Sequence, residues 1–245
     1  MELKDRVAVI TGSAIRVGRA IAQELAEAGA HIVVHYFHHG DKALVAVQEL
    51  RALGVRAMAA KANVASASGV AAMFEEIDRE FGPVDILVNN AAVFERTPFP
   101  ELSEKDWDYH IGINLKGTFL CCREAAKRMI PRREGKIINI ADEFGSHPWP
   151  GYVAYCVSKA GVVTLTQTLA LALAKHNVQV NAIGPGAILF PETYSQADIE
   201  KSLARVPAGR AGSPKDVART VRFLIEGPDY ITGALIPVDG GASVA

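Results

Sequence analysis

The chain of 245 residues has little cysteine, little aromatic content and almost no net charge. Its three cysteines include the adjacent pair Cys121 and Cys122 and show no metal-ligand spacing, which indicates a reduced, intracellular protein. A formal net charge of −1 leaves no basic excess of the kind that binding to nucleic acid or an anionic membrane usually requires. We therefore expect neither nucleic acid nor a membrane surface as a partner.

Long apolar runs are scarce as well. The most apolar stretch, Val162 to Ala174, is interrupted by threonines and a glutamine and falls short of the roughly 20 residues that a membrane-spanning helix needs. The first residues lead directly into an apolar strand, without the pattern of a secretory signal. These features predict a cytoplasmic protein that acts on a small molecule.

Short β-branched runs alternate with longer helical patterns along the whole chain. Apolar strands separated by helices are typical of a parallel sheet that is covered on both faces. No linker or repeat interrupts the pattern, so we predict a single α/β domain over residues 1–245, a Rossmann-type doubly wound parallel sheet of about seven strands with helices on both faces. The predicted strands are Val7 to Thr11, His31 to His35, Val55 to Ala59, Val84 to Asn89, Lys136 to Ile140, Val178 to Ile183 and Leu235 to Val238, and the predicted helices include Arg19 to Ala28, Asp41 to Leu53, Ser68 to Phe81 and Lys159 to Lys175.

The longest segment without a strand runs from about residue 184 to residue 214. It follows the end of a predicted strand, which is where open parallel sheets bind their ligands. Long ordered loops in compact domains are often lids. We therefore predict a substrate loop that carries a short helix.

A glycine-rich turn joins the first predicted strand to the first helix, in the run from Thr11 to Gly18 (Thr-Gly-Ser-Ala-Ile-Arg-Val-Gly). Glycines let the backbone approach a pyrophosphate, whose charge is met by amide groups at the helix N-terminus. The turn thus predicts a bound dinucleotide, with Gly12, Val17 and Gly18 among its contacts.

The end of the second predicted strand, from His35 to His39, lacks an acidic residue. A carboxylate here would bind the ribose hydroxyls of NAD and repel the 2′-phosphate of NADP, so its absence favours NADP(H) without excluding NAD(H). Histidines can donate hydrogen bonds to phosphate, more strongly when protonated. The alternative of a metal site is weaker, because a carboxylate ligand is missing, and we predict no metal. The predicted cofactor contacts in this run are His35, Tyr36, His38 and His39.

Tyr155 and Lys159 lie four residues apart in a helical pattern, which puts both side chains on one face. A cation beside a phenol lowers the pKa of the tyrosine and makes it a usable proton donor and acceptor. Such a pair is common by chance on helical surfaces. The combination of this pair with other motifs is more specific. The glycine-rich turn and Asn114 in Asn-Leu-Lys-Gly precede the pair, and a Pro-Gly pair at Pro185 follows it.

In order and spacing these motifs resemble the short-chain dehydrogenase/reductase superfamily over most of the chain. The resemblance implies that Tyr155 protonates the atom that develops negative charge during hydride transfer, that Lys159 holds the nicotinamide ribose, and that Asn114 supports a water chain to Lys159. Arg16 stands where the superfamily has a glycine; it can reach the pyrophosphate or the substrate, or be a solvated surface residue. Further implied cofactor contacts are Asn63, Val64, Asn90, Ala91, Pro185, Gly186 and Ile188.

Within the superfamily, the sequence most resembles the pteridine reductases. The resemblance is carried by Arg16, the His-Tyr strand end at His35, Phe94 in Asn-Asn-Ala-x-x-Phe-x-x-Thr-Pro, and Asp142, which stands thirteen residues before Tyr155 where a serine is usual. It implies that Phe94 and the nicotinamide sandwich a flat pterin, that Arg16 contacts the substrate, and that Asp142 with Tyr155 supplies protons to a ring nitrogen. The alternatives are core packing for Phe94 and a structural hydrogen bond for Asp142.

These residues lead to a predicted NADPH-dependent reductase of a pterin or dihydropterin. The alternative is an NAD(P)H-dependent carbonyl or 3-oxoacyl reductase in which Asp142 has taken over the orienting role of the serine. A third possibility, a nucleotide-sensing protein without catalysis, is less favoured because Asn114, Tyr155 and Lys159 are all present. The resemblance further implies a homotetramer.

Overall fold

The computed structural model describes residues 1–142, 148–190 and 194–245. In these ranges seven strands form one parallel sheet in the order β3-β2-β1-β4-β5-β6-β7, which confirms the predicted Rossmann-type architecture. The strands are β1 (Val7–Ile10), β2 (His31–Tyr36), β3 (Ala57–Lys61), β4 (Ile86–Asn89), β5 (Gly135–Ile140), β6 (Val178–Pro185) and β7 (Leu235–Val238).

Helices flank the sheet on both faces. Alternate residues of a strand face opposite sides, so Ile10 of β1 packs in one core cluster and its neighbour Val9 in another. The helices are α1 (Arg16–Glu27), α2 (Gly40–Ala52), α3 (Ala67–Phe81), α4 (Glu104–His110), α5 (Gly117–Arg132), α6 (Val153–Leu173), α7 (Gln196–Leu203) and α8 (Pro214–Glu226), with a π-helical segment Ile111–Lys116 between α4 and α5. The first cluster includes side chains of α1, α2 and α8, and the second includes side chains of α3 and α5.

The predicted substrate loop does contain a short helix, α7. Ser195 fixes its start, since the serine hydroxyl accepts a hydrogen bond from the backbone N–H of Asp198 while the Asp198 carboxylate accepts one from the N–H of Ser195. Residues 191–193 of the predicted loop lie outside the described residues.

Helix α6 begins at Val153, six residues earlier than the sequence pattern predicted, so Tyr155 lies in its first turn. The stretch Val153–His176 is long and apolar enough to cross a membrane by length and composition alone, whereas the sequence pattern had predicted a stretch that was too short. Tyr155, Ser158 and Lys159 on this helix are buried. That burial is typical of a core helix packed against a sheet.

Candidate active site

The carboxyl ends of β1 to β6 surround a cleft of about 1090 Å³. Carboxyl ends of parallel strands meet at one edge of a sheet, and the loops that follow them line the ligand crevice. Every residue predicted from the sequence to bind or react lines this cleft, with the exception of Asn114. The predicted residues that line it are Gly12, Arg16, Val17, Gly18, His35, Tyr36, His38, His39, Asn63, Val64, Asn90, Ala91, Phe94, Asp142, Tyr155, Lys159, Pro185, Gly186 and Ile188.

The glycine-rich turn is packed so closely that it has no room for a side chain at Gly12 or Gly18. Gly12 has a φ of +64°, in the left-handed region. A Cβ on Gly18 would lie 2.4 Å from the carbonyl oxygen of Gly12 and 2.5 Å from Nδ2 of Asn90. That Nδ2 donates to the carbonyl oxygens of Thr11 (2.9 Å) and Gly12 (3.1 Å), so Asn90 holds the turn to the end of β4. The resulting bare backbone at the start of α1 fits a dinucleotide pyrophosphate.

Arg16 adopts a left-handed backbone conformation, with φ of +54°, at the position where the superfamily has a glycine. Its side chain is exposed, yet it reaches across the cleft, where Nη2 donates a hydrogen bond to the carbonyl oxygen of Leu189 (3.1 Å). Leu189 belongs to the predicted substrate loop. Arg16 therefore connects the glycine-rich turn with that loop, and it is not a solvated surface residue without a role in the cleft.

His35 does not act as the phosphate donor that the sequence predicted. Its Nδ1 accepts a hydrogen bond from the backbone N–H of Gly12 (3.0 Å), so Nε2 carries the proton and donates to the carbonyl oxygen of Ala62 (3.0 Å). Burial lowers the pKa of His35 to about 4, against a weaker opposing effect of the bond to Ala62. A neutral ring with both nitrogens engaged positions the turn and has no donor left for a ligand.

The other residues of the adenosine end remain open to the cleft. His38 and His39 are exposed, and Phe37 packs edge-on against His38 with ring centroids 4.6 Å apart. Oδ1 of Asn63 accepts a hydrogen bond from the N–H of Ala65 (3.0 Å), so one of its two lone pairs is already used. The second lone pair can accept from an adenine amino group, and that contact stays a prediction.

The buried ammonium of Lys159 lies beside Tyr155. Its Nζ donates to the carbonyl oxygen of Ile140 (2.7 Å) and sits 5.8 Å from the centroid of the Tyr155 ring. Burial lowers the pKa of Lys159 to about 8, and the nearby carboxylate of Asp142 partly offsets that effect. A cation here stabilises a developing phenolate on Tyr155.

Asp142 follows β5 directly, and its Oδ2 accepts a hydrogen bond from the Tyr155 hydroxyl. Both side chains are buried, at 9% and 7% exposure. The carboxyl end of β5 and the first turn of α6 meet at the cleft, which brings together two residues that are thirteen apart in the sequence. The structure thus places a carboxyl, a phenol and an ammonium in one group.

Asn114 lies outside the cleft lining, and its predicted support of a water chain to Lys159 stays a prediction. Its Oδ1 accepts from the backbone N–H of Val93 (2.8 Å), and Nδ2 donates to the carbonyl oxygen of Val93 (3.0 Å) and to Oγ of Ser158 (3.0 Å). The Asn114 carbonyl oxygen accepts from Thr118 (2.8 Å). These bonds tie the segment before Phe94 to α6, so Asn114 is a positioning residue. Sequence reasoning missed Ser158, which has no motif of its own here.

Phe94 is not a core residue, since 38% of it is exposed and it lines the cleft. Its ring stacks on that of Tyr152, with centroids 4.6 Å apart and an interplanar angle of 5°, and meets the ring of Tyr155 edge-on at 4.7 Å. The hydroxyls of Tyr152 and Tyr194 are 3.2 Å apart. Sequence reasoning missed Tyr152, which precedes α6 as its N-cap residue and carries no motif of its own.

The nicotinamide end is formed after β6, where Gly186 donates a backbone hydrogen bond to Val238 (3.1 Å) and Ile188 is buried. Within residues 1–142, 148–190 and 194–245, no group of three or more His, Cys, Asp or Glu side chains is arranged to hold a metal ion.

Known proteins are similar to this chain along almost their whole length. The family profile described as enoyl-(acyl carrier protein) reductase matches residues 12–243. The 3-oxoacyl-[acyl-carrier-protein] reductase FabG of Staphylococcus aureus (strain Mu50) is 40% identical over 237 residues, 96% of each chain. A (2S)-[(R)-hydroxy(phenyl)methyl]succinyl-CoA dehydrogenase subunit, BbsD of Thauera aromatica, is 37% identical over 250 residues, covering 100% of this chain and 99% of that one.

A crystal structure of a candidate gluconate dehydrogenase from Agrobacterium tumefaciens superposes with a TM-score of 0.95 at 38% identity and covers 100% of this chain and 98% of that one. These similarities confirm the predicted superfamily. They do not support the narrower prediction of a likeness to the pteridine reductases, because the relatives named here act on acyl carrier protein or coenzyme A derivatives or are described as sugar acid dehydrogenases.

Proposed function

The chain belongs to the short-chain dehydrogenase/reductase superfamily and is an oxidoreductase, and from this premise we propose that it reduces a carbonyl group with NADPH. A 3-oxoacyl thioester is the substrate class that the similarity to FabG supports. The observation that carries the proposal is the buried group formed by Tyr155, Lys159 and Asp142 at the floor of the cleft. This is the alternative that the sequence left open, and it now takes precedence over pterin reduction.

The three side chains have separate parts in the proposed reaction. When bound, the nicotinamide supplies a hydride to the carbonyl carbon. Tyr155 donates its hydroxyl proton to the carbonyl oxygen, which becomes the alcohol. Lys159 stabilises the phenolate that Tyr155 leaves behind, and its pKa of about 8 lets it pass on a proton near neutral pH.

Asp142 orients the phenol in this proposal. Its Oδ2 accepts the hydrogen bond from the Tyr155 hydroxyl and so holds the phenol oxygen in place before substrate binds. The hydroxyl then turns its single hydrogen from Oδ2 to the carbonyl oxygen as it donates the proton. A preorganised proton donor lowers the cost of reaching the transition state. The carboxyl therefore does what a serine hydroxyl does at the corresponding place in the superfamily.

The proposed coenzyme is NADP(H). The glycine-rich turn fits the pyrophosphate, and Lys159 would hold the nicotinamide ribose. Among the residues that the structure describes, those lining the cleft after β2 and β3 include no carboxylate that would repel a 2′-phosphate. NAD(H) remains the alternative coenzyme.

A pterin or dihydropterin is the second candidate substrate, and two observations favour it. The exposed ring of Phe94 stands beside Tyr155 and offers an apolar wall for a flat ring. Asp142 adds a carboxyl that can carry a proton, and reduction of a C=N bond needs a proton on nitrogen.

Steady-state assays separate the two candidates. NADPH oxidation is followed with acetoacetyl-coenzyme A, simple ketones, dihydrobiopterin and dihydrofolate, and Tyr155→Phe provides the background. The proposal expects kcat/KM for the thioester to exceed that for either pterin at least tenfold. A preference for a pterin would replace the proposal by the second candidate, and coenzyme binding without any turnover would favour the nucleotide-sensing alternative.

The proposed assembly is a homotetramer of a cytoplasmic protein. In support, α5 and α6 expose the apolar side chains of Phe119, Val157 and Leu171, the last at 84%. Exposed apolar residues on two neighbouring helices suit a contact with a second copy. Light scattering at micromolar concentration tests it, and a monomer would rule it out. Cell fractionation tests the location.

A further inference from the structure

We propose that Tyr152 is a positioning residue for the substrate, which holds the ring of Phe94 beside the reacting carbonyl and binds the substrate loop at the same place through Tyr194. The inference deepens the proposed function, because it rests on substrate binding at the end of the cleft where Phe94 and Tyr155 meet. Tyr152 does not itself line the cleft, whereas Phe94 and Tyr194 do. It therefore acts on the substrate through these two side chains.

The first step is the backbone of Tyr152, which is fixed from two sides. Tyr152 forms an isolated parallel bridge with Thr97 in the segment after β4, where the N–H of Thr97 donates to the carbonyl oxygen of Gly151 (2.7 Å). The N–H of Tyr152 donates to the carbonyl oxygen of Trp149 (3.0 Å). The carbonyl oxygen of Tyr152 accepts from the N–H of Cys156 in α6 (2.9 Å). These bonds hold Tyr152 between the segment that carries the cleft phenylalanine and the helix that carries the reactive phenol.

The second step is the stack between Tyr152 and Phe94. The two rings are parallel within 5° and their centroids are 4.6 Å apart, while the ring of Trp149 meets Tyr152 edge-on at 5.6 Å. Phe94 in turn meets the ring of Tyr155 edge-on at 4.7 Å. Because Tyr152 covers one face of Phe94, a flat group can stack on the opposite face only. The stack thus sets the orientation of that face relative to the phenol of Tyr155.

The third step is the contact between two hydroxyl groups. The hydroxyl oxygens of Tyr152 and Tyr194 are 3.2 Å apart, within hydrogen-bond distance. Tyr194 lies directly before Ser195, the N-cap of α7, and its ring packs against Phe190 with centroids 6.2 Å apart. Burial and the neighbouring Tyr152 hydroxyl raise the pKa of Tyr194, so its hydroxyl keeps its proton near neutral pH. Tyr152 therefore joins the ring of Phe94 to the substrate loop.

The effect on the reaction follows from preorganisation. Both contacts are made within the chain, so they order Phe94 and the loop in advance of substrate binding, and less binding free energy is lost in ordering them. One neutral hydrogen bond or one aromatic pair corresponds to roughly a two- to tenfold change in a dissociation constant. Loss of either contact should therefore appear in KM for the substrate. The Kd of NADPH should not change, since the proposed coenzyme contacts do not include Phe94, Tyr152 or Tyr194.

The test consists of two double-variant cycles in the full chain, with KM and kcat measured for acetoacetyl-coenzyme A and the Kd of NADPH measured by calorimetry. In the first cycle, Tyr152→Phe removes the hydroxyl and keeps the stack. It should raise KM roughly three- to tenfold with little change in kcat. Tyr194→Phe and the double variant should match it, because all three lose the same hydrogen bond. Tyr230→Phe, at a tyrosine that is 99% exposed, is the matched control.

The second cycle concerns the stack. Tyr152→Leu removes the aromatic ring together with the hydroxyl, so KM should rise further than in Tyr152→Phe. Addition of Phe94→Leu to Tyr152→Leu should raise KM no further, since Tyr152 acts through that ring. The Kd of NADPH should stay within about twofold of the unmodified value in every variant.

Additive effects on KM in either cycle overturn the proposal, and so does an unchanged KM in Tyr152→Phe. A rise in the Kd of NADPH equal to the rise in KM also overturns it, because general loosening of the fold would produce that result. If acetoacetyl-coenzyme A is not reduced but a pterin is, the proposed function fails, and the same cycles with the pterin decide the inference. Absence of turnover with every compound contradicts both.

Discussion

The hydroxyl of Tyr155 donates a hydrogen bond to Oδ2 of Asp142, and both side chains are buried at the floor of the cleft. A carboxyl at this place can orient the phenol as a serine would, and it can also carry a proton. We therefore expect this contact to take part in the reaction with either candidate substrate. What differs between the candidates is whether the proton on the carboxyl is needed.

Substitution of Asp142 separates these two roles. Asp142→Ala should lower kcat about 100-fold, because the Tyr155 hydroxyl loses its orienting acceptor. Asp142→Ser should keep reduction of a 3-oxoacyl thioester within about tenfold of the unmodified protein, since a hydroxyl can accept the same hydrogen bond. Both variants should bind NADPH normally in calorimetry. Loss of thioester reduction in the serine variant would show that the carboxyl is more than an orienting group.

Lys159 should limit the reaction at alkaline pH. Because the pKa of Lys159 is about 8, the side chain is charged below that pH and neutral above it. The neutral amine no longer stabilises the phenolate of Tyr155. We expect kcat/KM for NADPH, which reports ionisation of the free enzyme, to fall as pH rises through about 8. A rate that stays constant to about pH 9.5 would contradict this role.

The same lysine gives a check that does not depend on activity. Burial lowers the pKa of Lys159 from 10.5 to about 8, so the unfolded chain binds the proton more tightly and the free energy of unfolding should rise with pH between these values. Lys159→Met should remove this contribution. Urea denaturation at pH 7 and pH 10 therefore should show a stability advantage of the methionine variant that shrinks at the higher pH.

Gly18→Ala should damage coenzyme binding. The added Cβ would lie 2.4 Å from the Gly12 carbonyl oxygen and 2.5 Å from Nδ2 of Asn90, so the turn must move. We expect at least tenfold weaker NADPH binding and a loss of about 1–3 kcal/mol in the free energy of unfolding. Gly69→Ala, whose Cβ would meet no atom closer than 3.3 Å, is the matched control and should leave coenzyme affinity unchanged.

Phe94 should affect the substrate and not the coenzyme. Phe94→Leu removes the flat ring that stacks on Tyr152 and faces Tyr155 edge-on, so KM for the substrate should rise several-fold while the Kd of NADPH stays the same. Phe99→Leu, at a phenylalanine that is 75% exposed and outside the cleft lining, is the control. An equal change in both variants would argue against a substrate wall at Phe94.

The sequence predicted the sheet and most of the cleft because strand patterns and glycine-rich turns are local signals. Tyr155 and Lys159 were identified from a spacing within one helix, and Asp142 from a fixed distance to Tyr155. The role of His35 could not be predicted in this way, since it depends on the backbone of Gly12 and Ala62 in other elements. The sequence shows the residue type but not which nitrogens are already used.

Tyr152 and Ser158 were missed for the same reason. Their contacts, to Phe94 and to Asn114, join segments that are about 40 or more residues apart and become visible only when the elements pack. The proposed substrate changed from a pterin to a 3-oxoacyl compound for another reason. Individual positions such as Arg16 and Phe94 had indicated a pterin, whereas the similarity to FabG, which extends over 96% of the chain, supports the 3-oxoacyl proposal. Proteins of one fold differ in substrate through the side chains of the site, so the fold by itself does not choose between these candidates.

The most direct test of the proposed reaction follows the hydride itself. NADPH carrying deuterium at the transferred position of C4 is incubated with acetoacetyl-coenzyme A, and the product is examined by mass spectrometry. We predict a 3-hydroxyacyl thioester with one deuterium on carbon 3, formed by the unmodified protein and at least 100-fold more slowly by Tyr155→Phe. Deuterium found only in a reduced pterin offered in the same mixture, or thioester reduction that persists without the Tyr155 hydroxyl, would contradict the account.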